Sequence, residues 1–448
     1  MTQPVSVSIW WRVLALALPA LAQQYLLFVI QRYDQFLAGR FSADHQAALT
    51  NANYLYWFIS SYTVVVSAGA SALVGRLVGA GDRATANRAA GQSLLLAAFF
   101  GILATIAAMV GGLALLIWVI DVPLAAQPIA IEYLRPLVVI LAFQMIETGG
   151  IACLVGAGDT RTGLYVLGGV AAVNVPVAFA LSTGWGGLPD LGFVGIAYGT
   201  AISHSLGGIA VLMMLLRGRS GIHVEAKFLL PNRELIRRLL RVSIPAAVDS
   251  MSIGICQFWF LQLVNRLGSE ATAAHGIAIG WEALGYLSGA AFGTAATSLV
   301  SRNLGAGRPE VAAHSGWVSL ALGGGTMVFM GVVFYTLAPW MCRLFSPNNE
   351  VVVAQGVTAL RTVAFAMPAL ASAIVFTSAL RGAGDTRVPV LFTWIGFLVV
   401  RIPLAYLLTG PMELGLFGAW LAMLADIWLR GLLFLWRFAG GKWQSIRV

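Results

Sequence analysis

Apolar runs of more than about 18 residues recur along this chain, each long enough to cross a bilayer and too numerous for the core helices of a soluble domain. Only helices and closed barrels satisfy every backbone polar group in lipid. A barrel would show weak alternation in segments of about ten residues rather than long apolar blocks. The chain is therefore expected to be an all-α membrane protein. Composition agrees: of 448 residues 59% are hydrophobic and 10% charged, with a mean hydropathy of +0.84, against about a quarter charged in soluble domains. Spans are expected near 10–38, 47–78, 89–120, 128–155, 163–183, 192–216, 239–267, 273–304, 314–345, 351–381, 389–409 and 415–437. Several exceed the roughly 20 residues needed to cross, which predicts tilt, kinks or protruding ends. Arg12 is followed by a long apolar stretch without a small-residue cleavage site, so the N-terminal segment reads as the first span rather than a signal peptide.

The net charge of +9 raises the question of nucleic acid, but its placement answers differently. Basic residues gather in "RGRSGIHVEAKFLLPNRELIRRLLR", "GDRATANR" and "GGKWQSIRV", whereas "DVPLAAQ", "GWGGLPDLG", "SPNNE" and "TGPMELG" carry no Lys or Arg. This asymmetry places both termini and the long middle loop in the cytoplasm, beside anionic lipid, and predicts no nucleic-acid partner. Cys153, Cys256 and Cys342 are isolated, and the five histidines show no paired spacing. No metal site and no cofactor are expected.

The two halves repeat. "SALVGRLVGAGD" aligns with "TSLVSRNLGAGR", and "LVGAGDTRT" with "LRGAGDTRV", each at an offset of 226 that also relates Pro19 to Pro245 and Arg40 to Arg266. The chain thus divides into a six-helix lobe 1–216, a basic cytoplasmic linker 217–238 and a second six-helix lobe 239–448. Six is even, so both lobes have one orientation, as in transporters built from parallel repeats. The Gly-Ala-Gly elements resemble fragments of phosphate loops, but no GxxxxGK[ST] follows and no strand precedes them. They read as helix punctuation, with Gly79 and Gly156 in the left-handed conformation, Asp82 and Asp159 capping the next helices, and Pro309 at a first helical position.

With "VGAGDTR" and "RGAGDTR" after the fourth and tenth spans, "LGAGRPE" after the eighth, "AAHGIAIGWEALGY" opening the eighth and "YDQFLAGRF" in the first, the chain resembles the multidrug and toxic compound extrusion (MATE) family over essentially its whole length. The resemblance implies a V-shaped cleft between two six-helix lobes and ion-coupled export of amphipathic, often cationic compounds.

Five acids lie inside expected spans: Asp34, Glu147, Asp249, Glu282 and Asp426. Each is costly in lipid and so a functional candidate. Asp34 lies six residues before Arg40, roughly 9 Å along a helix axis from the outer boundary. A carboxylate wetted in one state and dehydrated in another suits ion coupling, since burial disfavours the charged form. Pro19, and Pro245 in the second lobe, offer places for helices to bend. The resemblance adds Asn174 and Thr200 as polar partners of Asp34. It also predicts an acid four residues after Asn174, where this chain has Ala178, and second-lobe acids near Ile253 and Leu370, where it has apolar residues. These departures favour protons and leave sodium open.

Glu282 is flanked by Trp281, with Tyr286 one turn on, which suits a lipophilic cation through charge and cation–π attraction. Tyr54 and Trp57 in "NYLYWFISSY", and Asp249 four residues after Pro245, are further candidates for a cleft wall. Asp426 and Arg430, four apart, are expected to pair, with Arg401 as a further partner. The reading that results is a monomeric antiporter of the bacterial inner membrane. It exports lipophilic or cationic amphipathic compounds in exchange for protons, and it is not an enzyme. The alternatives are a sodium-coupled version and a flippase for lipid-linked sugar or polysaccharide.

Overall fold

The computed structural model describes residues 8–446 apart from 42–44, 46–47, 50–51, 53–54, 57, 59–60, 120–126 and 348. Among the described residues it is helical throughout, with one isolated bridge between Arg219 and Ile222. Among the described residues ten helices are long and apolar enough to cross a membrane, eleven if the pair Gln127–Val139 and Leu141–Ala157, bent by 53°, counts as one broken span. The span expected at 47–78 contains the 16-residue helix Val64–Gly79, and much of its first half lies outside the described residues. Ten or eleven spans are thus found where twelve were expected, in rough agreement.

Fifteen α-helices are named among the described residues, in chain order. The first are α1 (Ile9–Ala38), α2 (Val64–Gly79), α3 (Arg83–Ala107), α4 (Leu113–Val119), α5 (Gln127–Val139) and α6 (Leu141–Ala157). They are followed by α7 (Arg161–Thr183), α8 (Phe193–Leu216), α9 (Arg233–Asn265), α10 (Ser269–Gly305), α11 (Pro309–Arg343) and α12 (Glu350–Ala383). The last are α13 (Arg387–Trp394), α14 (Ile402–Thr409) and α15 (Gly415–Ala439). π-helical turns at Ala108–Gly112 and Ile395–Arg401 interrupt two of the long apolar stretches. Such turns are the kinks that stretches longer than the bilayer predict, and they concentrate at functional sites.

The repeat is visible in where helices stop. Gly158 after α6 and Gly384 after α12, 226 residues apart, have φ of 90° and 87°. Gly81 and Gly307, at the same offset, have φ of 79° and 69°. Punctuation therefore falls two residues later than expected at Gly79 and Gly156. Gly79 is the last residue of α2. Gly156 lies within α6, where a Cβ would stand 2.7 Å from the Ser71 carbonyl oxygen, so its job is to let α2 and α6 approach. Asp82 caps α3 by accepting from the Thr85 amide at 3.0 Å, and Pro309 opens α11.

The turn aspartates of the two halves differ in surroundings. Burial opposes ionisation of Asp159, but the Ser220 and Thr162 hydroxyls, the Thr162 amide and Arg219 outweigh it and hold the carboxyl below its usual range. Asp385 is raised by burial although Arg437 pairs with it at 2.8 Å.

By internal contacts the chain forms two compact units. One is Ala22–Ala247, and the other joins the described part of Met1–Leu21 to Val248–Arg447. Both boundaries cut a helix, α1 after Leu21 and α9 after Ala247, at positions related by the same offset of 226. In the second unit Val13, Leu16 and Ala17 of α1 join a buried cluster with Phe292, Phe376, Phe434 and Phe438. In the first, Leu235, Leu239 and Ala247 of α9 pack with Val66, Leu73 and Leu94. The basic connection after α8 is docked rather than loose. Gln92 of α3 donates to the Phe228 and Leu230 carbonyls at 2.6 and 2.8 Å and accepts from the Asn232 amide at 2.8 Å. Ile222 and Val224 are buried beside it.

Candidate functional site

In the unit Ala22–Ala247, three helices bring Asp34, Asn174 and Thr200 together. The Thr200 hydroxyl on α8 donates to Asp34 Oδ2 on α1 at 3.1 Å and accepts from Asn174 Nδ2 on α7 at 3.0 Å. All three are buried, Asn174 completely. Asp34 Oδ1 and Asn174 Oδ1 have no hydrogen-bond partner among the described residues. Unpartnered buried oxygens are costly and call for an explanation. Here one Asp34 oxygen is held and the other is free, so a proton can add to Oδ1 without breaking the bond to Thr200. Ala178 is fully buried, and Gly199 packs on it so closely that a Cβ there would stand 2.5 Å from the Ala178 Cα. A larger side chain at 178 would have to displace α8.

One turn along α8 lies a contact that the sequence did not reveal. His204 Nδ1 stands 2.8 Å from Glu147 Oε2 on α6, with both residues buried. Their separation of 57 residues carries no periodic signal. Gln144, three residues before Glu147, donates to the Tyr56 hydroxyl at 2.5 Å. Tyr54 and Trp57, expected along the same stretch, lie outside the described residues.

In the other unit the expected cleft residues are spread over several environments. Glu282 is half-buried on α10. Trp281 donates to the Met341 carbonyl at 3.4 Å and meets Phe345 edge-on, which ties it to the end of α11. Tyr286 is 46% exposed. Asp249 is buried and accepts from Arg381 at 2.7 Å, a partner on α12 that sequence spacing did not suggest. Asp426 accepts from Arg430 at 2.7 Å and from Arg401 at 2.7 Å, as the sequence led us to expect. Arg401 also faces the rings of Phe397 and Phe260 at 4.9 and 5.7 Å. His275 is buried between Phe260 and Trp420. Pro19 lies inside α1 and Pro245 inside α9, each two residues before its helix passes from one unit to the other. Among the described residues no group of three or more His, Cys, Asp or Glu gathers as metal ligands would.

Comparison with known proteins places this architecture. The chain is 28% identical over 439 residues to the "Probable multidrug resistance protein NorM" of Thermotoga maritima, covering 97% of this chain and 93% of that one. It is 24% identical over 432 residues to the "Probable multidrug resistance protein YoeA" of Bacillus subtilis, covering 94% and 91%. Among solved structures, one described as the outward-facing conformation of a multidrug resistance MATE family transporter superposes with a TM-score of 0.90 at 20% identity, over 98% of this chain and all of that one. A MATE structure in the bent conformation gives 0.86 at 20% identity, over 96% of each chain. At that identity these show the fold alone. The MatE family profile matches residues 19–180 and 245–407, two segments that begin at Pro19 and Pro245. Both halves of the repeat therefore carry the family signature, and the chain belongs to the MatE family, a multi-pass membrane transporter rather than an enzyme.

Proposed function

We propose that this protein is a proton-coupled antiporter that exports lipophilic cations and related amphipathic compounds across a bacterial inner membrane, acting as a monomer with both termini in the cytoplasm. The observation that carries the reading is Asp34, a buried carboxylate with Oδ2 held by Thr200 and Oδ1 without a partner. Such a group changes charge with little rearrangement of its neighbours. In the cycle, Asp34 gains a proton from outside as the exported compound leaves. Neutral Asp34 tolerates a drier surrounding, α1 bends near Pro19, and the inward-open state forms. The proton then leaves to the cytoplasm and a new compound is captured near Glu282. The ion must bind the two states with different affinity for this exchange to run.

The relatives named as multidrug resistance proteins support the substrate class. Ala178 supports protons over sodium, because the cluster then offers one carboxylate and two neutral side-chain oxygens to a cation. For a flippase of lipid-linked sugars, a free cationic surface for pyrophosphate would be needed. Arg401 and Arg430 are instead both engaged by Asp426, which weighs against that reading. The test is efflux of ethidium from proteoliposomes under an imposed pH gradient, wild type beside Asp34→Asn, with a sodium gradient in a separate arm. Efflux driven by the pH gradient and abolished by the substitution is the expected result. Efflux driven only by sodium would replace the proton in the scheme, and equal rates in both proteins would remove Asp34 from it.

A further inference from the structure

Of the five acids that lie inside the expected spans, four have a task. Asp34 is the proposed coupling carboxylate, Glu282 the proposed cation-attracting group, and Asp249 and Asp426 are neutralised by arginines. Glu147 is left, and its partner is an imidazole. Thr200, His204 and Gly207 follow one another at helical spacing and so share a face of α8. Thr200 holds Asp34, and His204 Nδ1 contacts Glu147 Oε2 at 2.8 Å. At Gly207 a Cβ would stand 2.8 Å from Glu147 Oε1, so the glycine leaves that oxygen uncrowded. Glu147 Oε1 has no hydrogen-bond partner among the described residues.

We infer that Glu147 and His204 form the next proton station inward from Asp34, taking up the proton that Asp34 releases before it reaches the cytoplasm. The inference rests on the reading of Asp34 as a proton-coupling group. The direction follows from the chain: His204 lies one turn, about 6 Å, beyond Thr200 toward the end of α8 that continues into the basic segment after Leu216. The contact between Nδ1 and Oε2 needs one hydrogen, which the pair already shares. An arriving proton adds at Glu147 Oε1. Asp34 returns to carboxylate, the pair gains one positive charge, and loss of that proton to cytoplasmic water restores it, so one proton moves and no other bond changes. The other titratable groups that face Asp34 are Tyr33 and Tyr133, and His204 is faced by Glu147 and Asp34. A simple fastener between α6 and α8 would need no free carboxylate oxygen and no glycine beside it.

The experiment follows ethidium efflux and proton influx in the same vesicles, with pyranine trapped inside, for wild type, Asp34→Asn, Glu147→Gln, His204→Gln and Glu147→Asp. Ethidium affinity is measured on each purified protein. The expected result is that Glu147→Gln and His204→Gln bind ethidium within about twofold of wild type yet lose gradient-driven efflux about tenfold or more, while Glu147→Asp recovers most of it. Wild-type rates and wild-type proton influx in both Gln variants would overturn the relay and leave the pair as a fastener. Should Glu147→Gln not reconstitute, the pH profiles of Glu147→Asp and His204→Gln decide, and unshifted profiles at wild-type rate overturn the proposal. A wild-type protein that ignores the pH gradient would instead sink the proton-coupling reading itself, a distinguishable failure.

Discussion

Arg401 and Asp426 form an ion pair at 2.7 Å with side chains 3% and 0% exposed, and Arg430, from the same helix as Asp426, donates to both carboxylate oxygens. Two cations thus share one anion in a buried place. Removing the anion leaves both guanidiniums uncompensated, a loss on the order of 3–5 kcal/mol for a broken buried pair. Asp426→Asn is expected to lower the thermal midpoint of the purified protein sharply, and more than Arg430→Met does. Scanning fluorimetry in detergent checks the order.

The bond from Thr200 holds Asp34 Oδ2 in place. Thr200→Val keeps the shape and removes the donor. Gradient-driven efflux should then fall by about tenfold, since a hydrogen bond to a charged group is worth roughly 1.5–3 kcal/mol before relaxation. An unchanged rate in the proteoliposome assay would show that Thr200 does not act on Asp34.

Asp159 holds the turn between α6 and α7 and the start of the docked connection through Thr162, Ser220 and Arg219. Its carboxyl is held low in the folded protein. The sign follows: the stabilisation is complete above the unfolded value of about 3.9 and is lost as pH falls through the lower folded value. Asp159→Asn should therefore melt below wild type at pH 7, and the two should converge under strongly acidic conditions. Melting curves from pH 7 down to about 3 test this.

Gly158 and Gly384 end α6 and α12 with positive φ. An alanine there takes a left-handed conformation at roughly 1–2 kcal/mol. Gly158→Ala and Gly384→Ala should each lower thermal stability by about that amount, with additive effects because the two turns belong to different units. Transport rates measured at low temperature should stay within about twofold, as both turns lie outside α1, α7, α8 and α10, the helices that carry Asp34, Asn174, Thr200 and Glu282.

Much of the fold is legible in the sequence, because lipid imposes one rule on every span and the repeat imposes its own symmetry. Span positions, the paired turns and the Asp426 ion pair follow from hydropathy, an offset of 226 and a spacing of four. The glycine turns were placed two residues early because "GAG" offers two candidates, and only the observed φ separates Gly156 from Gly158. The grouping of Asp34, Asn174 and Thr200 rested on family likeness, since nothing in their spacing brings three different helices together. Glu147 with His204, and Asp249 with Arg381, were not legible for the same reason. Such contacts depend on how helices rotate against one another, which a single sequence does not encode in any period.

The two boundaries that cut α1 and α9 bear on how the protein is made. The unit Ala22–Ala247 has every residue it needs once synthesis has passed Ala247. The start of α1 has no such early partner. Val13, Leu16 and Ala17 complete their cluster only with residues as late as Phe438 and Trp443. α1 therefore waits, half unpacked in the bilayer, for α15, and a chain cut short within α15 would leave both helices unfinished.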